Sequence, residues 1–151
     1  MPDPNPYLDE VRQIIAEHGV MIQGVADGDE GESPFAYTVG LAAIDQPELI
    51  VFGLDADTSH GILNPMAMST IKENVRWLPG PSDQVFGSGV AALLIEVTDS
   101  REHLTVANAI FARPGKDPLP ALQLVYPDKQ GRWPWEDEST VADDPVLGPI
   151  P

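Results

Sequence analysis

The chain has 151 residues, 42% of them apolar, which is enough to pack one domain and too many for a disordered polymer. Its 24 acidic and 8 basic residues give a net charge of −16, a field that repels nucleic-acid phosphates and anionic lipid and so argues against direct nucleic-acid or membrane binding. Cysteine is absent, which excludes disulfides, thiolate metal sites and a cysteine nucleophile, and no apolar run approaches the roughly 18 residues that a membrane helix needs.

Asn5-Pro6 has the form of a helix start, an N-cap residue followed by proline in the first turn. Leu8, Val11, Ile14 and Ile15 recur at helical spacing, with Gly19 just beyond, so a helix is predicted over 6–18. A strand is read at 20–26. The acidic, glycine-rich loop 27–33 then leads into a second strand at 35–41, and the pair reads as a hairpin. Glu48–Leu54 is a short, continuous apolar run, as expected of a strand covered on both faces. Asp57 is read as the N-cap of a second helix carrying Ile62, Leu63, Met66, Ile71 and Val75. Pro65 lies inside it and predicts a kink or break near Gly61, because proline lacks the donor for the carbonyl one turn back and clashes with it.

Leu78-Pro79-Gly80-Pro81 reads as a turn, 84–86 as a short strand and 90–97 as a longer one. Ser100 opens a capping pattern for a third helix over 101–112, which Arg113-Pro114-Gly115 ends. The last strand is 121–126. From 136 onward acids, prolines and small residues form a tail, read as a lid, an ordered wrap over the one domain, or a partly disordered end. The order α-β-β-β-α-β-β-α-β has no strict βαβ repeat. An α+β fold is therefore expected: a mainly antiparallel sheet of five or six strands, helices on one face, with a bent half-barrel as the alternative.

The candidate chemistry gathers in two segments that alternate large apolar with hydroxyl or amide side chains, 34–41 and 121–128. If Tyr37, Gln123 and His60 converge, they present a phenol, an amide and an imidazole to one cavity, with Thr38, Tyr126 and Asp128 nearby. Trp133 and Trp135 flank Pro134 and should fall on alternate sides of an extended segment, one plugging the core and one covering a pocket or meeting a partner. His60 follows a buried strand, where functional groups often collect, whereas His18 at a helix end and His103 at the surface read as structural. Ser59 and His60 are neighbours, but adjacent helical residues point about 100° apart and do not pair. Three scattered histidines and no cysteine make no metal set, and neither a GxSxG elbow nor a phosphate-cradling glycine loop occurs; no cofactor is expected.

Several ordered motifs resemble the bacterial and phage family known as domain of unknown function 4262. They are His18-Gly19, the strand Pro34 to Leu41, Pro47-Glu48-Leu49-Ile50-Val51-Phe52-Gly53-Leu54, His60-Gly61-Ile62-Leu63-Asn64, and Ala121 to Asp128 followed by Gly131 to Trp135. The likeness spans roughly 7–148, and the chain departs from the pattern at Pro65 and over 78–89. It implies no assigned role, and directs attention to Tyr37, His60, Gln123 and Asp128.

Three functions stay open. The first is a small acidic cytoplasmic module that binds a protein or small ligand through Tyr37, Thr38, His60, Gln123, Tyr126, Asp128, Trp133 and Trp135. The second is a cofactor-independent enzyme with His60 as general base and Tyr37 or Asp128 assisting. The third is an acidic inhibitor, of the kind a phage would encode, that blocks a basic host surface. Dispersed surface acid also simply keeps a protein soluble. An exposed strand edge would allow a homodimer.

Overall fold

A computed structural model describes residues 6–26, 33–82, 92–111, 117–141 and 144–150. The Asn5 cap, most of the loop 27–33, the strand read at 84–86 and the helix end at 113–115 lie outside the described residues. The elements run α1 (Pro6–His18), β1 (Met21–Val25), β2 (Phe35–Val39), a short 3₁₀ turn (Leu41–Ile44), β3 (Glu48–Phe52), α2 (Ala56–Glu73), β4 (Gly80–Ser82), β5 (Ala92–Glu96), α3 (Thr105–Phe111) and β6 (Ala121–Val125). The fold is α+β.

The six strands form one sheet in the order β1-β2-β3-β6-β5-β4, antiparallel except for the central β3–β6 pair, which is parallel. The outermost strands β1 and β4 do not pair, so the sheet is open. All five residues of β3 and all five of β6 are buried. That burial follows from a second layer on each side, and here the structure corrects the expectation of helices on one face. Leu63, Met66 and Ala67 of α2 pack with Ala36, Leu49, Val51, Leu122 and Leu124. Val11 of α1 and Leu104 and Ala107 of α3 pack with Tyr37, Val39, Ile50, Phe52 and Ala121. The alternation of side chains along each strand sends one set to each layer.

Several boundaries differ from the sequence reading for local reasons. The N-cap of α2 is Asp55, not Asp57: its carboxylate accepts from the Thr58 amide at 2.7 Å, and α2 begins two residues early. Pro65 does not break α2, which is one helix over 18 residues. Both Pro65 and Gly61 lie on its exposed side, where water can satisfy the Gly61 carbonyl. The turn expected at 78–81 instead feeds β4, whose Pro81 is tolerated because β4 is an edge. Residues 101–103 form turns, so α3 starts at Thr105 rather than 101. Ser100 does not cap it; its hydroxyl donates to the Leu119 carbonyl at 2.7 Å. His103 is half-buried, edge-on to the Phe35 and Phe52 rings. Among the described residues no helix is long and apolar enough to cross a membrane.

Candidate functional site

Strand register decides which of the sequence-selected side chains can meet. Tyr37 lies opposite Ile50, and Ile50 opposite Gln123. Tyr37 and Gln123 therefore share one row on the α1/α3 side, two strand spacings or roughly 10 Å apart. His60 belongs to α2, which packs on the other side, and it is exposed. The structure does not bring these three groups to a common hollow.

Each of the buried polar candidates is instead occupied within the fold. Tyr37 is 1% exposed, and its hydroxyl accepts from the Val106 amide at 3.0 Å, closing the start of α3. Burial pushes its phenol pKa up. Gln123 holds the tail: its amide donates to the Pro145 carbonyl at 2.6 Å and accepts from the Leu147 amide at 2.7 Å. The tail segment 144–150 is thus a wrap across the sheet at Gln123, continued where the Thr98 amide donates to the Leu147 carbonyl. Tyr126 donates to the Phe52 carbonyl at 2.9 Å and approaches Asp144; burial, and then the Asp144 charge, raise its pKa.

Thr38 donates to Glu48, a residue the chemistry-minded reading passed over. The Glu48 carboxylate is fully buried and accepts from Thr38 Oγ and from the amides of Gly40, Leu41 and Ala42, at 2.8 to 3.2 Å. It caps the 3₁₀ turn that follows β2. Burial raises its pKa against the pull of those donors. Asp128 has the same architecture with the opposite balance. Burial pushes its carboxyl up, but the amides of Arg132, Thr140 and Gln130 and the Arg132 guanidinium hold it down, at about 2. It clasps the segment 128–140. Trp133 and Trp135 do not fall on alternate sides: the chain turns at Pro134, and the indoles stack 5.7 Å apart, 4° from parallel.

The open space lies elsewhere. A hollow of about 400 Å³ sits between the β1–β2 hairpin and the start of α2, lined by Gly24, Val25, Phe35, Leu54, Asp55 and Ser59 among others. It exists because the wall is made of small residues. A Cβ placed on Gly24 would meet nothing within 4 Å, and Ala26, Ala36 and Ala56 also line it. Ser59 is 1% exposed, and among the described residues its Oγ is the buried side-chain polar atom without a hydrogen-bond partner. Asp55, one helical turn earlier, presents an exposed carboxylate whose pKa is lowered chiefly by the Thr58 amide. The sequence holds one signal for this place, the junction of a buried strand with a helix cap at 53–55. Among the described residues no three His, Asp or Glu side chains gather as a metal set.

The family described as Domain of unknown function (DUF4262) matches residues 14–140. No curated protein and no solved structure matches the chain. The chain belongs to the DUF4262 family.

Proposed function

We propose that the protein is a binding module for a small molecule, held in the hollow between the β1–β2 hairpin and the start of α2. The observation that carries this reading is the Ser59 hydroxyl. A buried hydroxyl without a partner costs about 1–3 kcal/mol, and such groups in native folds call for an explanation. A ligand group reaching it would remove that cost. The volume of the hollow lies within the range of ligand sites, and apolar walls with a few polar groups are their usual composition. The lack of cysteine accords with a reducing, cytoplasmic setting.

The test is a fragment screen by amide chemical shift on the full chain, repeated on Gly24→Leu. A Cβ at 24 enters open space, and the larger side chain of leucine narrows the hollow. Hits that shift Gly24, Leu54 and Ser59 and vanish in the variant are expected. Hits that persist unchanged in Gly24→Leu, or an absence of hits at these amides, would overturn the reading.

Neither alternative gains a comparable observation. A general base needs a second polar group in a concave site, whereas His60 stands exposed on α2, across the sheet from Tyr37. Among the described residues the exposed acids do not form a single docking face. Exposed acids occur on α1 (Asp9, Glu10, Glu17) on one side of the sheet and on α2 (Asp55, Asp57, Glu73) on the other.

A further inference from the structure

Asp55 is the N-cap of α2, and its carbonyl accepts from the Ser59 amide at 2.9 Å, so the two residues lie one helical turn apart. Both line the hollow. One ligand head group can therefore meet the Asp55 carboxylate and the Ser59 hydroxyl together, while its body lies against Gly24, Ala36 and Leu54. The sign of the charge at this place decides what that head group is.

A helix N-terminus by itself favours anions, with about half a positive charge. Here that half charge is already answered. Asp55 caps the helix through the Thr58 amide, and Asp57 adds a second carboxylate to the first turn. No Lys, Arg or His is among the residues lining the hollow. The whole chain carries −16. An anion would enter against two carboxylates and the overall field. A cation would be drawn by both.

Building on the proposed binding function, we infer that the hollow takes a small amphiphilic cation, an ammonium or similar head on a compact apolar body. The head contacts the Asp55 carboxylate and Ser59 Oγ, which accepts from its N–H. The apolar body fills the space that Gly24 and the neighbouring alanines leave open. Ser59 acts as a hydrogen-bonding group and forms no covalent bond.

Three matched probes test this at neutral pH on the full chain: 2-phenylethylammonium, 2-phenylethanol and 3-phenylpropionate, titrated by calorimetry and amide shifts. The cation should bind about tenfold tighter than the alcohol, the scale expected of one close opposite charge near a surface, and the carboxylate weakest of all. Asp55→Asn keeps a good helix cap and should reduce the cation's advantage over the alcohol to about threefold or less. Ser59→Ala should weaken cation and alcohol alike, and Gly24→Leu should abolish both. Alcohol or carboxylate binding as tight as the ammonium, and still lost in Gly24→Leu, would overturn the cationic assignment while leaving the hollow a binding site. An ammonium advantage that survives Asp55→Asn in full would likewise overturn it. Failure of all three probes to bind would overturn the assignment and the binding function together.

Discussion

Glu48→Gln probes the buried carboxylate by removing one acceptor and changing little else. Its two oxygens are differently occupied: Oε1 accepts from Thr38 Oγ at 2.8 Å and the Leu41 amide at 3.0 Å, and Oε2 from the amides of Gly40 and Ala42 at 2.9 and 3.2 Å. A glutamine must place its NH₂ at one of these positions, and an amide nitrogen has no lone pair to offer. At the Oε2 position it would confront two backbone N–H groups. At the Oε1 position it confronts only the Leu41 N–H, because the Thr38 hydroxyl can turn and accept. The variant therefore takes the second arrangement and leaves the Leu41 amide and the turned Thr38 O–H unpaired, at about 2 kcal/mol or more. Glu48→Ala strands Thr38 and three amides and should cost about 3 kcal/mol or more, even after the relief of an unburied carboxylate. Against a typical total of about 5–15 kcal/mol these are large fractions.

The pH dependence gives a second, independent check. Burial raises the folded-state pKa of Glu48 above its ordinary 4.5, so folding favours the protonated form. Its contribution is complete below the unfolded value and is lost as pH rises through the folded one. A protonated carboxyl oxygen still has a lone pair for the Leu41 amide while its O–H turns to Thr38 Oγ, whereas the NH₂ of glutamine has none, so the wild type keeps that bond at low pH. The deficit of Glu48→Gln should thus be largest near pH 4 and shrink toward pH 8. Urea unfolding followed by the fluorescence of Trp77, Trp133 and Trp135 measures it at each pH. A variant as stable as wild type at pH 4, or a deficit that grows with pH, would refute the assigned geometry.

Other consequences follow from the same accounting of partners. Tyr37→Phe removes the acceptor of the Val106 amide and should cost about 1 kcal/mol, with faster hydrogen exchange confined to the start of α3; exchange unchanged at Val106 would count against the capping role. Asp128→Asn should raise exchange at Gln130, Arg132 and Thr140 about tenfold at neutral pH. In the wild type that protection should hold at pH 4 and fade only toward pH 2, because the folded carboxyl titrates at about 2, below the unfolded 3.8. Gly40→Ala should destabilise by about 3 kcal/mol in urea, since φ is +141° and a Cβ would lie 2.5 Å from the Gly19 carbonyl oxygen, backbone against backbone. Gly24→Ala, which meets nothing, should change stability by less than about 0.5 kcal/mol, and equal effects at the two glycines would contradict both placements.

The parts of the fold legible from sequence are those in which a local pattern has one reading. The periodicity of Leu8, Val11, Ile14 and Ile15 with Gly19 beyond locates α1, and Gly19 does adopt φ +88°. The unbroken apolar run at 49–54 announces a strand covered on both faces, but not that helices from both sides cover it. That depends on α1 and α3 crossing to one layer and α2 to the other, a non-local choice. Asp57 and Asp55 are equally good caps by residue type, and only the geometry leaving Gly53, at φ +83°, selects the earlier one. Ser100 fits a capping pattern, yet its hydroxyl finds the Leu119 carbonyl across the chain, and the helix starts five residues later.

The candidate site was harder to read for a reason that lies in the chemistry of burial. Sequence inspection favours conspicuous polar and aromatic residues inside apolar strands. A polar group in that position must be satisfied by the fold itself, or the fold is destabilised. Thr38 and Glu48 therefore close the turn after β2, Tyr37 closes α3, Gln123 pins the tail and Asp128 clasps the final loop. The motifs that identify the family at these positions are explained by architecture. A ligand needs space and an unanswered hydrogen bond, and both arise here from inconspicuous residues. Gly24 and three alanines leave the volume, and Ser59, adjacent to the more noticeable His60, leaves the hydroxyl. If binding maps to that hollow, the family's recurring polar signature describes how the scaffold is held, and specificity among relatives should track positions 24, 55 and 59 rather than 37, 48 and 123.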